Sequence, residues 1–305
     1  MKTDTAEMFS QDFAECILSP ADMVGRAYRL ARKDWKIMVG VSAIPSFVSA
    51  LSGSMLGRSL GHSDAGRWTL VAVIVLIFVN VGCGFALRVI QFALVTLLLG
   101  QYADLKTALA ESREKIWFIL WISLPTVLAD LVGILLAALS LWMMIPGESK
   151  NMMFAGAGAM GFVLLIFISV PLTCLSLLNL FFIVILIEER LSVQDGFVRF
   201  TRLCANANVM GYMAGFFALF ALVSLMLELC TLLSSAINFS NSLPSGALKE
   251  LFRDAESLLR CVISMPVYAF VTGAGAAGCA GLYTQLIMKL EGADLVKNLA
   301  QVKQC

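Results

Sequence analysis

Six long apolar stretches, separated by short segments that hold most of the charges, constrain the fold of this chain more than any other feature. A bilayer core is crossed by about 20 helical residues, so each stretch is interpreted as a membrane span. The whole chain is 59% hydrophobic and only 14% charged, which is unlike a soluble domain. We therefore predict an all-α integral membrane six-helix bundle with spans at about 37–54, 68–100, 116–144, 153–187, 208–236 and 259–288.

A short segment that resembles the start of a helix follows the apolar stretches at intervals of roughly 80 to 100 residues, which indicates internal duplication. The copies begin at Pro20, Tyr102, Leu191 and Gly292. In two of them a serine precedes an aspartate by three residues, which is an N-cap pattern. The sequence thus predicts an N-terminal arm at 1–18 and a single transmembrane domain at 19–305. That domain would hold three repeats of a cytoplasmic amphipathic helix plus a transmembrane hairpin, then a terminal amphipathic helix.

The positions of lysine and arginine orient the predicted bundle. Most of them fall in the N-terminal segment and in the segments at 101–115, 188–207 and 289–305. Because cytoplasmic loops of membrane proteins carry the excess of basic residues, these segments and both termini are placed in the cytoplasm. The prediction is a multi-pass protein of the bacterial inner (plasma) membrane. On the outer side, Ser245–Leu259 is predicted to form a short amphipathic helix.

Basic residues recur at helical spacing in the predicted cytoplasmic helices. Arg26, Arg29, Lys33 and Lys36 share one face of the first copy, and Arg199 and Arg202 lie in the third. Such helices bind anionic headgroups at a membrane surface or another membrane protein, or they only brace the bundle and obey the positive-inside rule. The sequence leaves these alternatives open.

Three ionisable residues fall inside predicted spans, where charges are costly and often functional. They are Arg88, Asp130 and Glu228. Arg88 and Asp130 are expected at similar depths on adjacent spans, so they are able to form a structural ion pair or part of a proton or substrate path. Asn80 and Asn179 are expected to form hydrogen bonds between helices.

Other patterns argue against several kinds of site. A net charge of +1 gives no basic field for nucleic acid, and the single histidine, His62, excludes a multi-histidine metal site within this chain. Two Gly-x-Gly-x-x-Gly matches, at 156–161 and 273–278, lie in apolar runs and are interpreted as close helix contacts rather than nucleotide sites. No cofactor is predicted. The eight cysteines are interpreted mainly as packing residues, with a possible bridge between Cys230 and Cys261.

The segment Val184–Leu203 carries a pattern of an apolar helix ending in acidic residues, a capped helix with aromatics and arginines, and a new span. This pattern resembles the membrane domain attached to some bacterial glycerophosphodiester phosphodiesterases and related uncharacterised membrane proteins. The segment Ser19–Pro45 is similar to the start of such domains. The resemblance implies a six-span fold. It supplies no catalytic residue, because the soluble phosphodiesterase barrel and its acidic metal ligands are absent from this sequence.

These patterns favour a non-enzymatic role as a scaffold, an accessory subunit or a lipid-interacting module, with anionic lipids and another membrane protein as expected partners. The alternative is a transporter or channel-like protein with a path near Arg88 and Asp130. An enzyme acting on lipid is a third alternative, disfavoured because no acid/base constellation is visible.

Overall fold

A computed structural model describes residues 18–61, 67–102, 104–144, 152–235 and 247–302. Most of these residues are helical, and no strand occurs among them. The helices are α1 (Pro20–Lys33), α2 (Trp35–Met38), α3 (Ala43–Gly61), α4 (Arg67–Leu98), α5 (Leu105–Glu114), α6 (Ile116–Met144), α7 (Met152–Glu188), α8 (Val193–Ala205), α9 (Ala207–Ser235) and α10 (Ala247–Val302).

Side-chain caps start three of the short helices. The hydroxyl of Ser19 accepts from the backbone N–H of Asp22 at 3.2 Å, and Ser192 accepts from Asp195 at the same distance. Asp104 caps α5 by accepting from the backbone N–H of Thr107 at 2.7 Å. The two Ser-x-x-Asp caps predicted from the sequence are therefore confirmed.

Five helices in the described part of the chain are long and apolar enough to cross a membrane. Their candidate spans are Val71–Leu98, Ile116–Gly133, Phe167–Glu188, Ala207–Leu227 and Cys261–Leu290. The first predicted span, at 37–54, is interrupted: α2 ends at Met38, and the apolar part of α3 covers only Ala43–Ser52. In the turn between them the Ser42 hydroxyl donates to the Met38 carbonyl at 3.2 Å, and a serine that bonds the backbone in this way competes with helical pairing.

The last helix is longer than the sequence suggests. α10 runs without interruption for 56 residues. The sequence predicts two separate helices here, an outer helix at Ser245–Leu259 and a terminal helix that begins at Gly292. This prediction is wrong for residues 247–302, which form one helix. An isolated glycine costs a helix only about 1 kcal/mol, so Gly292 alone does not end it.

α10 is the central helix of the bundle and packs against α1, α2, α3, α4, α7 and α9. Small residues make this possible. A Cβ atom on Gly273 would lie 2.8 Å from Met38 Cβ, and one on Gly278 would lie 2.7 Å from the Phe216 ring. The interpretation of the Gly-x-Gly-x-x-Gly match at 273–278 as close helix packing is confirmed. The match at 156–161 lies where side chains are not described.

α1 lies lengthwise against α9 and α10. At its start the backbone N–H of Leu18 donates to Gln285 Oε1 at 2.8 Å, and further along the ring of Tyr28 stacks on Phe220 with centroids 5.1 Å apart. The side of α1 that faces the bundle is fully buried and consists of Met23, Ala27, Leu30 and Ala31. The apolar face of α1 thus packs against protein and contributes to the core.

Candidate functional site

The two intramembrane charges on α4 and α6 lie close together. Arg88 Nη2 is 3.7 Å from Asp130 Oδ2, and Arg88 Nη1 donates to Gln91 Oε1 at 3.0 Å. The Arg88 side chain is 10% exposed, whereas the Asp130 side chain is 49% exposed. The arginine is therefore held inside the bundle, and the carboxylate lies on its accessible side.

A cavity of about 400 Å³ adjoins this pair. It lies among α3, α4, α6, α7, α9 and α10, so the whole bundle contributes to its wall. We call it the central cavity. Besides Arg88 and Asp130, its polar lining includes Ser49, Asn80, Gln91, Ser176, Ser224 and Thr272. Hydroxyl and amide groups both donate and accept hydrogen bonds, so this wall suits a small polar solute.

Asn80 joins the cavity wall to the neighbouring helix. Its Oδ1 accepts from the Ser49 hydroxyl at 2.8 Å, and its Nδ2 donates to the Ser52 hydroxyl at 2.7 Å. The predicted interhelical role of Asn80 is confirmed. Among the described residues, Asn179 makes one longer bond, 3.5 Å to Thr126 Oγ1 on α6, and it does not line the central cavity.

Sequence reasoning missed most of the cavity wall. Gln91 and Thr272 are polar residues in apolar runs, which is a usable signal, and both are buried. Single serines such as Ser176 and Ser224 are too common in membrane helices to stand out. Only the fold shows that these residues, which come from four helices, face one space.

Two predicted positions lie outside what the structure describes. Glu228 lies in α9, but its side chain is not described, and His62 lies outside the described residues. The proposed Cys230–Cys261 bridge is also untested, because the side chain of Cys230 is not described. Within the described ranges no group of three or more His, Cys, Asp or Glu residues is placed to hold a metal ion.

The predicted basic surface residues divide between separate helices. Arg26, Arg29 and Lys33 lie on α1, and Lys36 lies on α2. Arg29, Lys33 and Lys36 are exposed, whereas Arg26 is half-buried. On α8, Arg202 is exposed. Arg199 Nε instead donates to Glu189 Oε1 at 2.9 Å, where the Tyr283 hydroxyl also donates at 3.1 Å. Arg199 therefore ties α8 to the ends of its neighbours, whereas Arg29, Lys33 and Lys36 remain on the surface.

Comparison with family models, with curated proteins and with solved structures finds no match to this chain. The resemblance to the phosphodiesterase membrane domain stays a prediction.

Proposed function

We propose that this chain is a non-enzymatic multi-pass membrane protein that binds a small polar solute in the central cavity, as a transporter or channel-like protein does. The observation that carries the proposal is the cavity of about 400 Å³ that reaches Arg88 and Asp130. Helix junctions and charges inside the membrane are where transporters place their substrate sites.

The chemistry of Arg88 supports an anionic group on the solute. A guanidinium carries five N–H donors. Among the described residues, Arg88 makes one hydrogen bond, to Gln91, and its 3.7 Å separation from Asp130 is longer than a good charge-assisted hydrogen bond. A carboxylate or phosphate that entered the cavity would replace the partly exposed Asp130 as the partner of Arg88, so binding would not leave the buried charge unpaired.

We also propose that the chain crosses the membrane six times. The first of six crossings, at about 37–54, would run from the end of α2 through α3. Each repeat would hold one surface helix, which is α1 in the first repeat, and one hairpin. The hydrogen bond between Leu18 and Gln285 supports placing both ends of the domain on one side, because it brings the start of α1 beside the C-terminal half of α10. We propose that this side is cytoplasmic and that the membrane is a bacterial inner membrane, as the basic residues suggest.

Water access tests the cavity directly. In a version with all eight cysteines replaced by alanine, Thr272→Cys and Ser176→Cys should react with a membrane-impermeant thiosulfonate. Val132→Cys is the matched control, because Val132 is 55% exposed on α6 and does not line the central cavity. Thiols that face hydrocarbon do not ionise and should not react. Equal reactivity at all three positions, or none at Thr272 and Ser176, contradicts the proposal.

Uptake then tests the role of the charges. Reconstituted protein would be assayed with phosphate, short dicarboxylates and amino acids. The Asp130→Asn and Arg88→Gln variants should each abolish uptake of a solute that the unmodified protein carries, because each removes one partner of the proposed exchange. Uptake unchanged in both variants would show that the pair is structural.

A second candidate is the lipid-interacting or scaffold role, with anionic lipids or a membrane partner held by the surface cations. The exposed side chains of Arg29, Lys33 and Lys36 favour it. Replacing Arg26, Arg29, Lys33 and Lys36 with glutamine should weaken the copurification of anionic lipids or partners after mild detergent extraction. Unchanged copurification rejects this role.

A further inference from the structure

Two neighbouring cavities lie at the end of the bundle where α4 and α7 finish. The first, which we call the α4–α7 cavity, measures about 660 Å³, and its polar rim is formed by Gln101, Tyr102, Lys115 and Arg190. The second, which we call the α6–α8 groove, measures about 580 Å³. Phe118 belongs to the walls of both. The α6–α8 groove is almost wholly apolar and is lined by Trp121, Ile122, Leu175, Leu178, Phe182 and Phe197.

The cation at this rim has an unusual backbone. Arg190 has a φ of 51°, which lies in the left-handed region. The next residue, Leu191, donates its backbone N–H to the Leu186 carbonyl at 3.2 Å, and this bond closes α7. This is a Schellman ending, in which glycine is the usual residue at the left-handed position. The end of α4 has the same arrangement with Gly100, whose φ is 71°. Arginine therefore occupies a position where glycine would be easier to accommodate.

The charges around the rim leave Arg190 as the available cation. Lys115 Nζ bonds to Glu111 Oε1 at 2.9 Å. The Glu188 carboxylate accepts a long bond from Gln101 at 3.5 Å. Among the described residues, no carboxylate lies within ion-pair distance of Arg190. An anion at the rim would meet Arg190 directly, with Lys115 beside it.

We propose that this pair of cavities binds one phospholipid with an anionic headgroup. The headgroup phosphate lies between Arg190 and Lys115, and an acyl chain passes Phe118 into the α6–α8 groove. Leu186 lines the α4–α7 cavity and Phe182 lines the groove, so the two parts are about one helical turn apart along α7, close to the separation of a phosphate from its first chain carbons. Cationic rim and apolar groove complement the two halves of a phospholipid.

The surface around the groove supports a position at the membrane interface. Trp117 and Trp121 are each 74% exposed, and tryptophan side chains gather at the level of lipid headgroups. The proposal does not rest on the central cavity, because the two sets of lining residues are separate.

Native mass spectrometry of the full-length protein with dioleoyl phosphatidylglycerol and dioleoyl phosphatidylcholine tests the site. Arg190→Gly should weaken phosphatidylglycerol binding about tenfold, as expected for the loss of a charge-assisted hydrogen bond. Its melting temperature should stay equal or rise, because glycine suits the left-handed backbone. Leu175→Trp fills the groove and should weaken binding of the same lipid. Arg113→Gln, an exposed charge change on α5 outside both cavities, should bind like the unmodified protein.

Three results would overturn the proposal. The first is unchanged phosphatidylglycerol binding in both variants. The second is equal binding of phosphatidylcholine and phosphatidylglycerol, which would mean a site for any acyl chain. The third is tight binding of inorganic phosphate that is lost in Arg190→Gly and kept in Leu175→Trp, which would identify a site for a free anion.

Discussion

Gly273 and Gly275 are two residues apart on α10, but the space around them differs. A Cβ on Gly273 would lie 2.8 Å from Met38 Cβ and 2.9 Å from the Met38 carbonyl oxygen, whereas the nearest atom to a Cβ on Gly275 is 3.7 Å away. Gly273→Ala should therefore lower the free energy of unfolding by about 1–3 kcal/mol, as overpacking does. Gly275→Ala should leave it unchanged or raise it by up to about 1 kcal/mol through helix propensity. Thermal unfolding in detergent compares them, and equal melting temperatures contradict the packing of α2 against α10.

The cap of α5 predicts a dependence on pH. The backbone N–H of Thr107 donates to the Asp104 carboxylate and lowers the pKa of Asp104 below its ordinary value of 3.8. Because the folded pKa is lowered, the cap stabilises α5 above the unfolded pKa and is lost as the pH falls through the folded pKa. Amide hydrogen exchange in α5 should lose protection as the pH falls below about 4. The Asp104→Asn variant keeps a hydrogen-bond acceptor at the cap but has no group that titrates there. The protection of the α5 amides in this variant should therefore lack the loss at low pH. An identical pH profile in both proteins would contradict the role of the carboxylate.

At the scale of the helix, Asn80 holds α3 against α4 through two short hydrogen bonds. Asn80→Leu should destabilise the protein by about 1–2 kcal/mol, since interhelical hydrogen bonds in membranes contribute about 0.6 kcal/mol each on average and the Ser49 hydroxyl also loses its acceptor. Asn179→Leu is the control, because its single bond is 3.5 Å long, and it should cost less. Thermal unfolding gives the comparison, and a larger loss for Asn179→Leu would contradict this account of the α3–α4 contact.

The sequence predicts helices well where local chemistry decides their ends. Ser19 and Ser192 cap α1 and α8 as expected, and the limits of α4, α6, α7 and α9 lie within a few residues of the predicted spans. The sequence does not predict helix ends that depend on contacts with residues far away in the chain. The turn between α2 and α3 is fixed partly by a bond from the Ser42 hydroxyl to the Ala269 carbonyl on α10. A contact across 227 positions leaves no local pattern in the chain.

At the scale of the whole molecule, the sequence identifies the rare charges of the central cavity but not its wall. Arg88 and Asp130 are conspicuous because charges in apolar runs are uncommon. The remaining lining comes from serine, threonine and glutamine side chains whose directions depend on how the helices pack. The α4–α7 cavity is less predictable still, because it depends on where two helices end.

The outer surface formed by the end of α1 and by α2 differs in chemistry from the surface formed by α6 and α8. Arg29, Lys33 and Lys36 are exposed on the surface of α1 and α2, whereas Trp117, Trp121 and Phe197 are exposed on the surface of α6 and α8. Exposed charges are not tolerated in hydrocarbon, and large exposed apolar side chains favour lipid over water. The bundle is therefore expected to sit with its α6–α8 surface in the lipid interface and its α1–α2 surface in water.

Fluorescence quenching tests this placement, because each surface carries a tryptophan. Trp121 is 74% exposed beside the α6–α8 groove, and Trp35 is 56% exposed between Lys33 and Lys36. Two variants would each keep one of these tryptophans and replace the other four with phenylalanine. In liposomes, lipids brominated near the headgroup should quench Trp121 more strongly than Trp35, and acrylamide in the water should quench Trp35 more strongly. The reverse order would place α1 and α2 in the bilayer and require the central cavity to lie deeper, because Tyr28 of α1 and the cavity both contact Ser224.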